Sequence, residues 1–211
     1  MPILVFCDDT WHPARTIRAG LAPLENGGTT FDWVEDAAGW SGDLLAPYAG
    51  VILAKSNNTS SSNPLPWMAG PIQTALVSYV RRGGGLLAVH SGTAGYGEAA
   101  ALRGLLGGVF DHHPAQCPVT VSAQGSHPVV EGVEPFTVQD EHYHMILDDP
   151  AAEVFLTTTS EHGQQPGGWS RRGGRGHVVV LTPGHNLEAW HQPGFQKLLR
   201  NAITWCTQAV E

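Results

Sequence analysis

The sequence predicts an α/β three-layer sandwich with a mainly parallel sheet and an antiparallel extension. Three observations carry that expectation. Short continuous apolar runs, such as "ILVFC" (3–7) and "LLAV" (86–89), mark strands covered on both faces. These runs alternate with helical spacing through residue 108, which implies parallel βαβ units. Beyond residue 108 the strand-like segments follow one another without helices, so they are expected to form an antiparallel extension or a subsidiary sheet.

Each element has its own signal. "ARTIRAGLAPLE" has helical spacing broken by Pro23. "TFDWVED" (30–36) alternates weakly as a second strand, and "AGVILAKS" (49–56) is a buried third. The polar stretch "NNTSSSNPLP" (57–66) reads as a flexible loop, a lid candidate because it follows a strand's carboxyl end. "PIQTALVSYVRRGGG" is a helix that Pro71 can open and Gly83 to Gly85 stop. "GEAAALRGLLGG" (97–108) is the next helix. "PVTVSA" (118–123), "PFTVQDEHYH" (135–144) and "EVFLTTTS" (153–160) read as strands. Arg171, Arg172 and Arg175, laced with glycine, read as a solvated turn. "GHVVVLTPGH" (176–185) returns to a buried strand. "PGFQKLLRNAITWCTQAV" (193–210) closes as an amphipathic helix, with Phe195, Leu198, Leu199, Ala202, Ile203 and Trp205 on its apolar side.

At 211 residues, with no internal repeat and no long linker, the chain is expected to form one domain spanning 1–211. A net charge of -8 disfavours a nucleic-acid partner, since phosphate neutralisation needs clustered Lys and Arg. No apolar run approaches the roughly 18 residues of a membrane span. The opening "MPILVFCDDT" has no basic region and meets charge at Asp8, unlike a secretory signal. Cys7, Cys117 and Cys206 are too scattered for a disulfide frame, which suits a cytoplasmic setting. A homo-oligomer is compatible with all of this. Eleven histidines and seven tryptophans are unusual for this length.

In open parallel sheets, sites collect outside the carboxyl ends of the strands. Strand one ends near Asp8 and Asp9, with His12 just beyond; strand three ends at Lys55, Ser56 and Asn57. "GGGLLAVHSGTAG" (83–95) delivers His90, and "LTPGH" delivers His185. Three histidines thus reach one sheet edge. His90 sits in a strand–turn–helix setting whose small neighbours Ser91 and Gly92 let a ligand approach. Imidazole there serves as metal ligand, general base or donor, the alternative being an inert capping histidine. In "FDHHPAQ" (110–116) only one of His112 and His113 can face the site, because neighbours on extended chain point opposite ways. His127, before a proline, reads as a turn residue.

"QDEHYHM" (139–145) puts Asp140, His142 and His144 on one strand face, and Glu141 and Tyr143 on the other. The His142/His144 pair has a metal-ligand spacing without an HExxH or cysteine pair to support it. Glu141 and Tyr143 form an acid/base and hydrogen-bonding pair suited to sugars, or else an exposed acidic edge. Trp190 is either a sugar-stacking ring or part of the core or a lid.

The runs "GGGLLAVHSGT", "LLGGVFDHHP", "HPVVEGV", "FTVQDEHY", "GRGHVVVLTPGHNLEAW" and "FQKLLRNAITWC", in that order, resemble the trehalose-utilisation (ThuA-like) family. With the opening "LVFCDDTWHP", the resemblance covers nearly the whole chain. It implies a flavodoxin-like sandwich related to class I glutamine amidotransferases. On that likeness His90 stands where amidotransferases keep a cysteine nucleophile, and His185 stands at or near their catalytic histidine. Glu188 is three residues beyond His185 rather than two, so their His-x-Glu pairing is not reproduced. Glutamine hydrolysis needs a thiolate, and no cysteine occupies the turn, so an amidotransferase is not expected.

The resemblance implies carbohydrate metabolism instead: hydrolase or lyase chemistry on a sugar or keto-glycoside, with keto-sugars made by partner dehydrogenases as one candidate source. It leaves room for one divalent, zinc-like metal ion, and no nucleotide cofactor is expected. His90, Glu141 and His185 are the expected catalytic residues. His12, His113, Tyr143 and Trp190 are expected to bind substrate. The rival expectation is a non-catalytic sugar- or metabolite-binding module on the same scaffold.

Overall fold

The computed structural model describes residues 1–25 and 28–208. Its parallel half is built from β1 (Pro2–Phe6), β2 (Thr30–Val34), β3 (Gly50–Leu53) and β4 (Gly85–Val89). These strands are short and β3 and β4 are buried along their whole length, as their unbroken apolar runs require. β5 (Gly108–His112), β6 (Cys117–Ala123), β7 (Phe136–Asp140), β8 (His144–Leu147), β9 (Glu153–Ser160), β10 (Gly163–Gly173) and β11 (Gly176–Leu181) follow. Nine of the described strands form one sheet in the order β2-β1-β3-β4-β11-β10-β9-β6-β7, while β5 and β8 pair separately. Pairing is parallel from β2 through β11 and antiparallel from there to β7. The result is an α/β, flavodoxin-like sandwich, with an antiparallel extension on one side of the sheet.

Helices cover both faces. On one side α1 (Ala14–Leu21), α4 (Leu187–His191) and α5 (Pro193–Cys206) enclose a core containing Ile17, Trp190, Phe195 and Leu199. On the other, α2 (Gly70–Arg81) and α3 (Ala100–Leu106) bury Leu76, Val80, Leu102 and Leu106 against the sheet. Among the described residues, no helix is long and apolar enough to cross a membrane.

Several boundaries differ from the sequence reading, each for a physical reason. The 135–144 segment is two strands, not one. The Asp140 carboxylate accepts the N–H groups of Glu141, Gly184 and His185, which ties the end of β7 to the loop after β11 and takes 141–143 out of the ladder. The 97–108 helix is shorter, ending at Leu106, because Gly107 adopts the left-handed conformation (φ 79°) that stops a helix. β5 starts at once after it. Arg171 and Arg172 are not in a turn: they lie in β10, where Arg171 pairs with Asp149 and donates to the Leu105 carbonyl. β10 is polar, glycine-rich and bulged between Pro166 and Trp169, so it lacks a strand signature. The loop carrying Trp190 contains α4.

The 57–66 loop is fastened rather than loose. Ser60 and Asn63 form a bridge, Thr59 N–H donates to the Leu65 carbonyl, and Ser61 N–H donates to Asp8. Beneath it the fully buried Lys55 spends its ammonium on the carbonyls of Glu35 and Thr59.

Candidate functional site

The site grows out of the carboxyl ends of β1, β4 and β11, with Glu141 added from the end of β7. After β1 the chain turns sharply at Asp8, whose φ is 71°. Asp9 then organises the turn. Its Oδ1 accepts the N–H of Trp11 and of His12 at 2.9 Å each, and Nδ1 of the His12 ring at 2.8 Å; its Oδ2 accepts Ser56 N–H at 2.8 Å. Nδ1–H of His12 is thereby committed, and Nε2 points inward with its lone pair.

His90 follows β4 at φ 48°, opening a single 3-10 turn, His90–Thr93. The tightness of this corner demands Gly92, where a Cβ would come within 1.9 Å of the Leu53 carbonyl oxygen. His90 Nδ1 lies 2.8 Å from the Thr182 carbonyl oxygen, to which it can only donate, so its Nε2 also keeps a lone pair. That Nε2 is buried and 3.3 Å from Glu141 Oε2, yet makes no hydrogen bond. His185 follows Gly184, a residue at φ 136° that suits glycine alone. The two N–H donations to Asp140 fix its backbone.

The rings converge. His12 lies 4.9 Å from both His90 and His185, centroid to centroid, and His90 lies 5.7 Å from His185. His185 Nδ1 is 3.1 Å from Glu141 Oε2 and 3.1 Å from His12 Nε2. One ligand atom from each of His12, His90, Glu141 and His185 falls within 4.8 Å of all the others.

Electrostatics match the geometry. Burial works to raise the Glu141 carboxyl, but the hydrogen bond from His185 and the electrostatic pull of the facing His90 and His185 imidazoles outweigh it and hold the group well below the usual carboxylate range. Asp9 is buried too, and its bonds to His12 and to backbone N–H groups likewise leave it strongly acidic. Burial lowers His12, beating the opposing pull of Asp9. The hydrogen bond to Glu141 raises His185. Near neutrality the cluster therefore pairs an ionised carboxylate with a neutral His12.

A cavity of about 580 Å³ opens beside the cluster, bounded by His12, Glu141, His113, Tyr143, Phe110 and Trp11 among others. Tyr143 stacks on His90 with centroids 4.0 Å apart, and burial pushes its phenol far up, so it stays protonated. His113 donates from Nδ1 to the Pro114 carbonyl at 2.7 Å and brings Nε2 to 3.6 Å from Glu141 Oε1. A second hollow, of about 630 Å³ beside His127 and Arg172, contains none of the four converging residues.

Of the residues singled out in the sequence, His12, His90, Glu141 and His185 come together, with His113 and Tyr143 at the cavity wall. His112 faces elsewhere, stacked on His144 at 4.6 Å. His142 bonds to Ser160 and Thr158, so the His142/His144 spacing does not build a joint ligand pair at the cluster. His127 accepts Val129 N–H in a turn, as expected. Trp190 is not placed to bind substrate: it is 1 % exposed, packed in the core under α1, with its indole N–H on the Gly184 carbonyl at 2.7 Å. Sequence reasoning missed Asp9 and Asp140 as the groups that orient His12 and His185. For Asp9 the available signal was its place just beyond β1 and three residues before His12; Asp140 ends β7 but meets His185 from 45 residues away in the chain, so no local signal marked it.

A family model described as trehalose utilisation, ThuA, matches residues 3–206. The chain belongs to the ThuA family. No curated protein matches its sequence. Among solved structures, a ThuA-like protein from Parabacteroides merdae superposes with a TM-score of 0.76 at 17% identity, covering 99% of this chain and 90% of that one. A ThuA-like protein from Bacteroides uniformis gives 0.74 at 20% identity, covering 98% and 91%. A GMP synthase component from Thermoplasma acidophilum gives 0.60 at 16% identity, covering 98% and 94%. At these identities the likeness is one of fold. Within that fold this ThuA-family chain places His90 on the tight corner after β4, and the carboxylate facing His185 is Glu141; Glu188 is exposed. All three cysteines are free and buried, and burial, aided by Glu35, pushes the Cys7 thiol up to about 12.

Proposed function

We propose that this chain, working as one domain over 1–211, is a carbohydrate-metabolism enzyme that acts on a sugar or keto-glycoside by hydrolase or lyase chemistry, and that His12, His90, Glu141 and His185 hold one divalent, zinc-like metal ion. The single observation that carries the reading is the convergence of three imidazole nitrogens and one carboxylate oxygen beside an open cavity. The donor set of nitrogens and one oxygen suits zinc and its neighbours. The orphaned, buried His90 Nε2 fits as well, because a metal would supply the partner it lacks. Asp9 behind His12 and the Thr182 carbonyl behind His90 supply the outer hydrogen bonds that orient metal-binding histidines.

A bound ion would polarise a carbonyl or hydroxyl oxygen of the substrate. The chain's own groups do the rest. Glu141 Oε2 faces His90 and His185, which leaves Oε1 on the His113 side as the oxygen placed to take a proton from the sugar, for instance one acidified by a neighbouring ketone. His113 Nε2, beside it, serves as acceptor for a substrate hydroxyl. Tyr143 remains a phenol and braces the His90 ring. Glutamine hydrolysis is outside this reading, since no thiol among the described residues lines the cavity. A cytoplasmic setting goes with it, on the strength of three unpaired cysteines.

The test is metal analysis of protein purified without an affinity tag, followed by a screen of oxidised disaccharides. We expect about one equivalent of metal per chain and product formation that chelation stops and metal restores. Saturable sugar binding without product after metal is restored would establish the binding-module alternative instead. Replacing Asp9 with asparagine should weaken metal affinity about 10–100-fold, because His12 loses its charged orienting partner. Competition with a metal-binding dye reads this directly, and unchanged affinity would remove Asp9 from the scheme.

A further inference from the structure

Trp11 is 75 % exposed, while its neighbour His12 is 5 % exposed and belongs to the converging cluster. A large aromatic ring left in water is an unmade contact when it borders a cavity. Its loop is firmly built. Asp9 Oδ1 holds the N–H of both Trp11 and His12, and the same carboxylate orients the His12 ring. Asp8 braces the turn from both sides, accepting Ala14 N–H at 3.0 Å and Ser61 N–H at 3.1 Å. The backbone that carries the indole is therefore held in fixed relation to the cluster, and the exposed ring lines the cavity.

The cavity walls are of two kinds. Trp11, Phe110 and Pro66 are apolar, while Ser56 and Asn58 are polar. A ligand that satisfies both has a flat apolar face and a hydroxylated edge, which describes a pyranose ring. The volume, about 580 Å³, lies within the range of roughly 300–1,000 Å³ typical of small-molecule sites and leaves room beyond a single sugar ring.

We propose that Trp11 is the stacking platform for the second, non-reacting sugar ring of the glycoside: one ring meets the cluster and the other lies on the indole. This assignment rests on the carbohydrate reading given above. It also transfers to Trp11 the stacking role that the buried Trp190 cannot fill.

The experiment measures binding of trehalose, maltose and cellobiose, each also as its mono-ketone, with glucose as the single-ring control. Calorimetry is run on metal-loaded wild type, Trp11→Ala and Trp11→Phe. Wild type should bind at least one disaccharide more tightly than glucose. Trp11→Ala should weaken that disaccharide about tenfold, while glucose affinity and metal content stay at the wild-type level. Trp11→Phe should recover part of the loss. In turnover the loss should fall on KM rather than kcat. Equal disaccharide affinity in wild type and Trp11→Ala overturns the platform alone and leaves the carbohydrate reading standing. If wild type binds no member of the panel, the carbohydrate reading falls, and the platform with it. A Trp11→Ala protein that changes its sedimentation from oligomer to monomer, with unaltered sugar affinity, assigns the ring to self-association and overturns the proposal.

Discussion

Replacing His90 with alanine should abolish metal binding and reduce turnover below about a thousandth of wild type. The ring contributes an inward lone pair with no other partner and a position that the Thr182 carbonyl fixes from behind. The loss should be selective. In the metal-free protein this histidine is already an unsatisfied buried group, so its removal costs one hydrogen bond and some packing. The melting temperature of the metal-free variant should stay within about 4 °C of wild type. The gain in melting temperature on adding metal, present in wild type, should vanish in the variant. Differential scanning calorimetry with and without metal separates these effects. A large fall in metal-free stability, with metal binding retained, would make His90 a core residue and remove the proposed chemistry.

Replacing Trp190 with alanine should have the opposite profile. The indole fills the space between α1 and α4 so closely that a Cβ on Gly20 would lie 2.6 Å from it. Truncation should cost about 3–5 kcal/mol and lower the melting temperature by about 10 °C. Trp190→Phe keeps most of the volume but strands the Gly184 carbonyl, at a cost of about 1–3 kcal/mol. Sugar affinity per folded molecule should follow Trp11, not Trp190. A Trp190→Ala protein of normal stability that no longer binds sugar would return the ring to the binding surface.

The contrast between these tryptophans shows where sequence reading ran out. Periodicity located the buried strands well, because a strand covered on both faces must be apolar throughout, as β3 and β4 are. The rule that sites gather at strand carboxyl ends then brought His12, His90 and His185 to one edge from sequence alone. Glu141 was legible as the partner carboxylate of His90 and His185, but the route by which the chain brings it there was not. It follows β7, at the far edge of the nine-stranded sheet, and reaches the cluster because the Asp140 carboxylate ties the end of β7 to the loop after β11. Trp11 and Trp190 each adjoin a histidine, and nothing local tells which one the fold buries. β10 was missed because its neighbours on both sides satisfy its backbone, while its residues are those of a turn. Asp9 and Asp140 act on backbone N–H groups and a ring across turns, a role set by loop geometry rather than composition.

The sheet order has a consequence for biosynthesis. β11 is the last of the described strands in sequence, yet it lies in the middle of the sheet and alone joins the β4 side to the β10 side. During translation, the segments bearing His12 and His90 and the hairpins bearing Glu141 emerge earlier, but nothing staples them into a continuous surface until this final strand is threaded between them. The same strand delivers His185. Loading of the proposed ion is therefore a late event, and nascent chains that have yet to extrude this strand cannot capture it.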